Sequence, residues 1–167
     1  MRQDEIIAAL SKDGLRWEDH AQKAVKLFTS GCNCAQSLFG AFAEECGTAT
    51  EYAMRLCSSF GGGMGRLREV CGAVTGAFMV LGLRLGAADP NRYADKAEQY
   101  ERVQRFAKAF EQRFGSYLCR DLLGLELQRE EPAPSERTPE YYLQRPCALY
   151  IAYAAALLEQ MLAADNG

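Results

Sequence analysis

Along this chain apolar residues recur every three or four positions, and no stretch alternates in twos long enough to suggest a strand. Ile6, Ile7 and Leu10 predict a short helix over residues 3–10, packed as a flap on the body and stopped by Ser11 and Gly14. A second helix is expected from Arg16, with Trp17, Ala21, Ala24, Val25 and Phe28 on its buried stripe, His20 at the border of that stripe, and Thr29 to Gly31 as its end. Asn33 followed by Gln36 has the form of a capping box, opening a helix from Cys34 to about Glu45 whose buried side includes Leu38, Phe39 and Phe42. Thr48 with Glu51 repeats the device ahead of a stripe of Tyr52, Ala53, Leu56 and Phe60, which Cys57 shares.

The centre of the chain is FGGGMGRLREVCGAVTGAFMVLGLRL, residues 60–85, a glycine-rich turn running into an apolar helix with Cys71 near its start. Gly72, Ala73 and Gly76 leave that helix face almost without bulk, so another backbone or an inorganic group can come close to the sulfur. Gly86 is the expected stop, and Asp89 with Pro90 the next start. From there to Phe114 the chain reads as an amphipathic surface helix. Tyr93, Ala97, Tyr100, Val103, Ala107, Phe110 and Phe114 form its stripe, and Glu98 with Arg102 and Glu101 with Arg105 pair on its wet side.

Gly115 breaks that helix, and residues 117–125 suit a short helix or turn carrying Cys119. Residues 128–140, QREEPAPSERTPE, have the composition of an exposed, mobile loop. Thr138 and Pro139 start one more helical turn, and Pro146 opens a last helix through Leu149, Tyr150, Tyr153, Leu157 and Met161. The predicted fold is all-α: one domain over residues 1–167, a helical bundle of five or more helices.

Composition narrows the function classes. A length of 167 residues suits one compact domain, and no linker divides it. A net charge of −3, without a basic block, argues against nucleic acid as a partner. The longest uncharged runs, Val70–Leu83 and Pro146–Leu158, fall short of the roughly 20 residues that span a bilayer, so no membrane insertion is expected. The start, MRQDEIIAAL, lacks the form of a signal peptide, and the expected location is the cytoplasm. A tyrosine-rich apolar last helix leaves a homodimer open.

Seven cysteines, at positions 32, 34, 46, 57, 71, 119 and 147, change the picture most. In a reducing compartment such thiols are more often metal ligands or reactive groups than structural disulfides. Cys34 and Cys147 fall in first turns of helices, where free N–H groups and the helix dipole favour thiolate, the form that binds metal or attacks a disulfide. Cys71 also comes early in its helix. The gaps between Cys34, Cys71, Cys119 and Cys147 are 37, 48 and 28 residues, which excludes compact CxxC zinc hairpins, so any shared site must be assembled by folding. Spacing alone leaves scattered core thiols as the simpler account. Cys57 reads as a small core residue and Cys46 as a helix-end residue, while Cys32 makes a Cys-x-Cys pair with Cys34. The glycine run lacks the GK[ST] ending of a phosphate loop and the third glycine of GxGxxG. A Cys-His nucleophile would need His20, the only histidine, for which no carboxylate orienter is evident.

The sequence resembles the C-GCAxxG-C-C family of redox-active proteins. The matching residues are Cys34 in GCNCAQSLF, Cys71 in CGAVTG, Cys119 in CRDLLG and Cys147 in RPCALYIAYAAALL, with FGGGMG ahead of the second motif, over about residues 29–161. In this chain Cys71 precedes Gly72, so CGAxxG is the pattern it follows. A similar cysteine-bearing domain occurs in split-Soret cytochromes c beside haem. This chain has no CxxCH, so no haem is expected.

The resemblance implies that Cys34, Cys71, Cys119 and Cys147 converge on an iron–sulfur cluster, 2Fe–2S more readily than 4Fe–4S, for electron transfer to a redox partner protein. Gly63 and Gly72 are expected to bring backbone N–H donors to the sulfurs. Two alternatives stay open: a metal-free thiol–disulfide oxidoreductase using the same four thiols, and a structural zinc or interaction domain with inert ones.

Overall fold

The computed structural model describes residues 1–126 and 130–165. Among them the fold is all-α, and the only pairing of strand type is a single antiparallel bridge between Val70 and Leu118. The elements in order are α1 (Gln3–Lys12), α2 (His20–Thr29), α3 (Cys34–Phe42), α4 (Thr50–Cys57), a 3-10 turn (Ser58–Phe60), α5 (Gly61–Met64), α6 (Gly72–Leu85), α7 (Tyr93–Phe114), α8 (Cys119–Leu122), α9 (Pro139–Gln144) and α10 (Cys147–Asp165).

Three helices carry most of the core because their sequences are apolar on nearly every side. Every residue of α10 from Ile151 to Leu158 is buried, and α3 and α6 bury residues through most of their length. The 19 residues of α10 are long and apolar enough to cross a membrane, which the uncharged run ending at Leu158 understates because the helix continues past Glu159. Its apolar surface is covered instead by α1, α2, α3, α6 and α7. Where α3 crosses α6, a Cβ on Gly76 would stand 3.1 Å from the Ala35 carbonyl oxygen and from Leu38 Cβ, so the glycine lets the two backbones touch. Phe106 and Phe110 of α7 are fully buried, worth roughly 1.5–3 kcal/mol each. Phe110 and Phe114 pack against Tyr150 and Tyr153 of α10, with ring centroids 4.8–6.2 Å apart.

Several starts differ from expectation. Asp19 takes a left-handed turn, φ 58°, so α2 begins at His20 rather than Arg16. The Thr48 hydroxyl donates back to the Cys46 carbonyl at 3.3 Å and caps nothing; α4 starts at Thr50. Asp89 accepts from the Asn91 N–H at 2.9 Å, a local turn that holds the chain out of a helix until Tyr93. The early half of α7 runs beyond the core, leaving Tyr93 and Tyr100 exposed, as Tyr52 and Leu56 are on α4. Glu98 does pair with Arg102, but Arg105 turns to Asp165 at 2.9 Å instead of Glu101.

Of the segment expected to be mobile, residues 128 and 129 lie outside the described residues. Residues 130–138 form an irregular strap bound to the body: the Glu130 N–H donates to the Arg66 carbonyl at 3.2 Å, and Arg66 Nε donates to the Glu131 carbonyl at 2.6 Å.

Candidate functional site

All four motif cysteines stand at helix starts, Cys119 as the first residue of the short α8 and the other three each for a local reason. The Asn33 side chain accepts from the Gln36 N–H at 2.9 Å while Gln36 accepts from the Asn33 N–H at 3.0 Å, so the capping box forms as expected and Cys34 becomes the first residue of α3. Asn33 also donates to the Ser58 carbonyl at 3.0 Å, tying this helix start to the glycine turn. Pro146 precedes Cys147, the first residue of α10, and its carbonyl starts the helical bonding by accepting from Leu149 at 2.9 Å. Cys71 is itself the cap residue of α6, one position earlier than a first-turn placement.

Cys119 is brought in by the glycine turn. Gly62, Gly63, Met64, Gly65, Arg66 and Arg68 all have positive φ, a run that only glycine adopts without strain and that costs the three others about 1–3 kcal/mol each. The turn is held on both sides: Cys71 N–H donates to Tyr117 O at 2.9 Å, Cys119 N–H to Glu69 O at 2.7 Å, and Arg120 N–H to Arg68 O at 3.2 Å. These bonds flank the Val70–Leu118 bridge and set Cys71 beside Cys119. At Gly63, φ 68°, a Cβ would lie 2.6 Å from Cys119 Cβ and 2.9 Å from the Glu69 carbonyl oxygen, so no side chain fits there.

The four thiols lie near enough to act on one another. Cys34 hydrogen-bonds with Cys147, and this, with burial and the facing thiols, holds the Cys34 proton on far above the ordinary thiol range. The same bond lowers Cys147 against its burial to about 7, helped by the guanidinium groups of Arg145, Arg137 and Arg68. The two thiols therefore titrate as a coupled pair. Burial pushes Cys71 up to about 12, reinforced by Cys119 and offset by the amides of Ala73 and Val74 against its sulfur. Burial also raises Cys119, opposed by Arg68, whose Nη1 donates to Cys119 Sγ at 3.5 Å.

Cys34, Cys119 and Cys147 line one cavity of about 280 Å³, and Cys71 lies buried beside it. Its rim is Arg66, Arg68, Arg137 and Arg145. Without a basic block, the sequence carried no sign of this group of arginines, although Arg145 stands two residues before Cys147. Among the described residues no three Cys, His, Asp or Glu side chains are arranged to hold one metal ion.

The other residues singled out as candidates in the sequence do not line the cavity. Gly63 and Gly72 do not line the cavity; they are spacers, a Cβ on Gly72 lying 3.0 Å from the Ala35 nitrogen, Cys34 Cβ and the Phe60 carbonyl oxygen. The amides against the Cys71 sulfur are those of Ala73 and Val74. Cys57 is a core thiol with its Sγ 3.5 Å from Met79 Sδ, and Cys32 and Cys46 stay off the cavity. His20 does have carboxylate partners, Glu45 at 2.7 Å and Glu159 at 3.2 Å, and stacks on Phe42, but it is not part of the cavity.

A helical bundle that gathers four separated cysteines at helix starts defines a small all-α cysteine-motif protein. A family model described as "Putative redox-active protein (C_GCAxxG_C_C)" matches residues 32–161, and the chain belongs to this family. No curated protein and no solved structure matches it.

Proposed function

We propose that this chain is an electron carrier in which Cys34, Cys71, Cys119 and Cys147 hold a two-iron iron–sulfur cluster. The observation that carries the reading is that Cys34, Cys119 and Cys147 line one cavity with Cys71 buried beside it, so close that the other three thiols together raise Cys34. Four thiolates, two on each iron, are the ordinary ligand set of a two-iron cluster, and the same four could also take a structural zinc ion. The cluster would supply one-electron transfer. The chain's own part is to keep water out with α3, α6 and α10, to set the sulfurs, and to favour their thiolate forms through Ala73 and Val74 at Cys71 and Arg68 at Cys119. The electrons would pass to a partner protein, in a reducing compartment such as the cytoplasm.

One observation favours a second reading. Cys34 and Cys147 are free thiols that face each other, with the pKa of Cys147 lowered by Cys34 and the nearby arginines, and the same residues would serve a metal-free thiol–disulfide oxidoreductase. Iron and sulfide analysis of protein purified without oxygen, with a visible spectrum, decides. Iron with matching acid-labile sulfide is expected; protein without metal that cycles one disulfide would establish the second reading, and stoichiometric zinc would sink both.

A further inference from the structure

The cavity over the thiols carries more positive charge than its own chain uses. Among the described residues four arginines line it and no carboxylate does. Arg66 and Arg68 share one counter-ion, Glu130, while Arg137 and Arg145 have no ion pair among the described residues. Instead their guanidinium groups lie over the Tyr141 ring, 4.7 and 4.9 Å from its centroid, and Arg137 also lies 5.0 Å from the Phe28 ring. Stacking engages the face of a guanidinium and leaves its in-plane N–H edge free to donate. Two of these donors are buried and unpartnered: Arg68 Nε, on a side chain 2% exposed, and Arg137 Nη1. A buried charged donor without an acceptor is costly, on the order of 1–3 kcal/mol or more, and such groups are normally satisfied.

We propose that this cavity is a binding site for a small tetrahedral oxyanion of the phosphate or sulfate type, seated between Arg68, Arg137 and Arg145 beside Cys147. The three guanidinium groups come from separate parts of the chain: the glycine turn, the 130–138 strap and the turn before α10. Converging from separate directions, they suit an anion with acceptor oxygens on several sides better than a planar carboxylate with two. A volume of about 280 Å³ lies at the lower edge of small-molecule pockets and admits a small anion. The site stands on the arginines alone and holds whichever redox reading applies to the thiols. It makes the centre one that meets a small anionic ligand directly at its sulfurs.

Titration calorimetry of the anaerobically purified full chain with sodium sulfate, sodium phosphate and sodium acetate, ionic strength held constant with chloride, tests this. Sulfate or phosphate is expected to bind saturably at one site, and acetate at least about tenfold more weakly. Arg137→Gln and Arg145→Gln are each expected to weaken binding about tenfold or more, the loss of one charge-assisted hydrogen bond. Arg137→Lys, which keeps charge but not the planar fork, should fall between wild type and Arg137→Gln, and Arg92→Gln, which removes an exposed partner of Asp95, should bind as wild type. Wild-type protein giving no saturable heat with either oxyanion overturns the site whatever the variants do. Equal binding of acetate overturns the tetrahedral assignment, and undiminished binding by a folded Arg137→Gln/Arg145→Gln double variant overturns the role of these arginines.

Discussion

Two buried sulfurs in this molecule have opposite chemistry. Cys57 lies against Met79 in the apolar core, and burial alone pushes its thiol up to about 11. Cys147 is also buried, yet it is lowered to about 7, because Cys34 donates to it and Arg145, Arg137 and Arg68 face it. Burial disfavours the charged form in both places; only in the second do neighbours outweigh it. Exposure therefore does not tell a reactive thiol from an inert one here, and the identity of the facing groups does.

The strongest way to break this contrast is to replace each sulfur with oxygen. Serine keeps the size but offers a hard, poorly ionised ligand, so Cys71→Ser and Cys147→Ser should abolish bound iron and visible absorbance. Cys57→Ser should keep both and lose about 1–3 kcal/mol of stability to a buried hydroxyl, read by urea denaturation. Equal iron and identical spectra in Cys71→Ser and Cys57→Ser would end the cluster reading.

A smaller effect is expected in the backbone that carries the thiols. Gly63→Ala adds a Cβ 2.6 Å from Cys119 Cβ at a left-handed position and should cost on the order of 3 kcal/mol or more. Gly47→Ala, at φ 62° but with nothing within 4 Å, should cost only about 1 kcal/mol. Similar losses in the two variants would mean that the turn does not hold Cys119 tightly.

Protonation gives a third comparison, in metal-free reduced protein. Thiolate is the reacting form, so alkylation of Cys147 by iodoacetamide, followed by peptide mass spectrometry, should reach half its maximum rate near pH 7 and fade below it. Cys57 should reach half its maximum only near pH 11. Arg145→Gln should move the Cys147 midpoint upward, since a cation that favours thiolate is gone. For stability the signs are opposite. Cys57, raised on folding, contributes below its unfolded value near 8.5 and loses that contribution as pH rises through about 11; Cys147, lowered on folding, contributes above its unfolded value and loses it as pH falls through about 7.

The smallest effect belongs to Cys32. It lies off the cavity, so Cys32→Ser should change stability by no more than about 0.5 kcal/mol and leave the spectrum as it was, unless Cys34 is also replaced and Cys32 is the one thiol near enough to substitute.

Local signals carried the fold. The Asn33–Gln36 box, Thr138 accepting from the Tyr141 N–H at 3.2 Å, Gly115 in the left-handed stop of α7 and the apolar lengths of α6 and α10 depend on residues within a turn of each other, and the sequence displays them directly. The four motif cysteines were legible as residues for the same reason, through short patterns around each sulfur.

Their chemistry was decided by the tertiary structure. Arg68 meets Cys119 across 51 residues and His20 meets Glu159 across 139, and Arg137, on the strap tied back to the glycine turn, joins Arg145, from the turn before α10, at one cavity. Thr48 and Asp89 show the same limit at short range: each had a cap-forming sequence, and each spent its side chain on a local turn once the neighbouring helices set where α4 and α7 could begin. Periodicity and capping report forces that act along the chain. The charge on Cys147 comes from groups that meet through space, and no spacing in the sequence records that meeting.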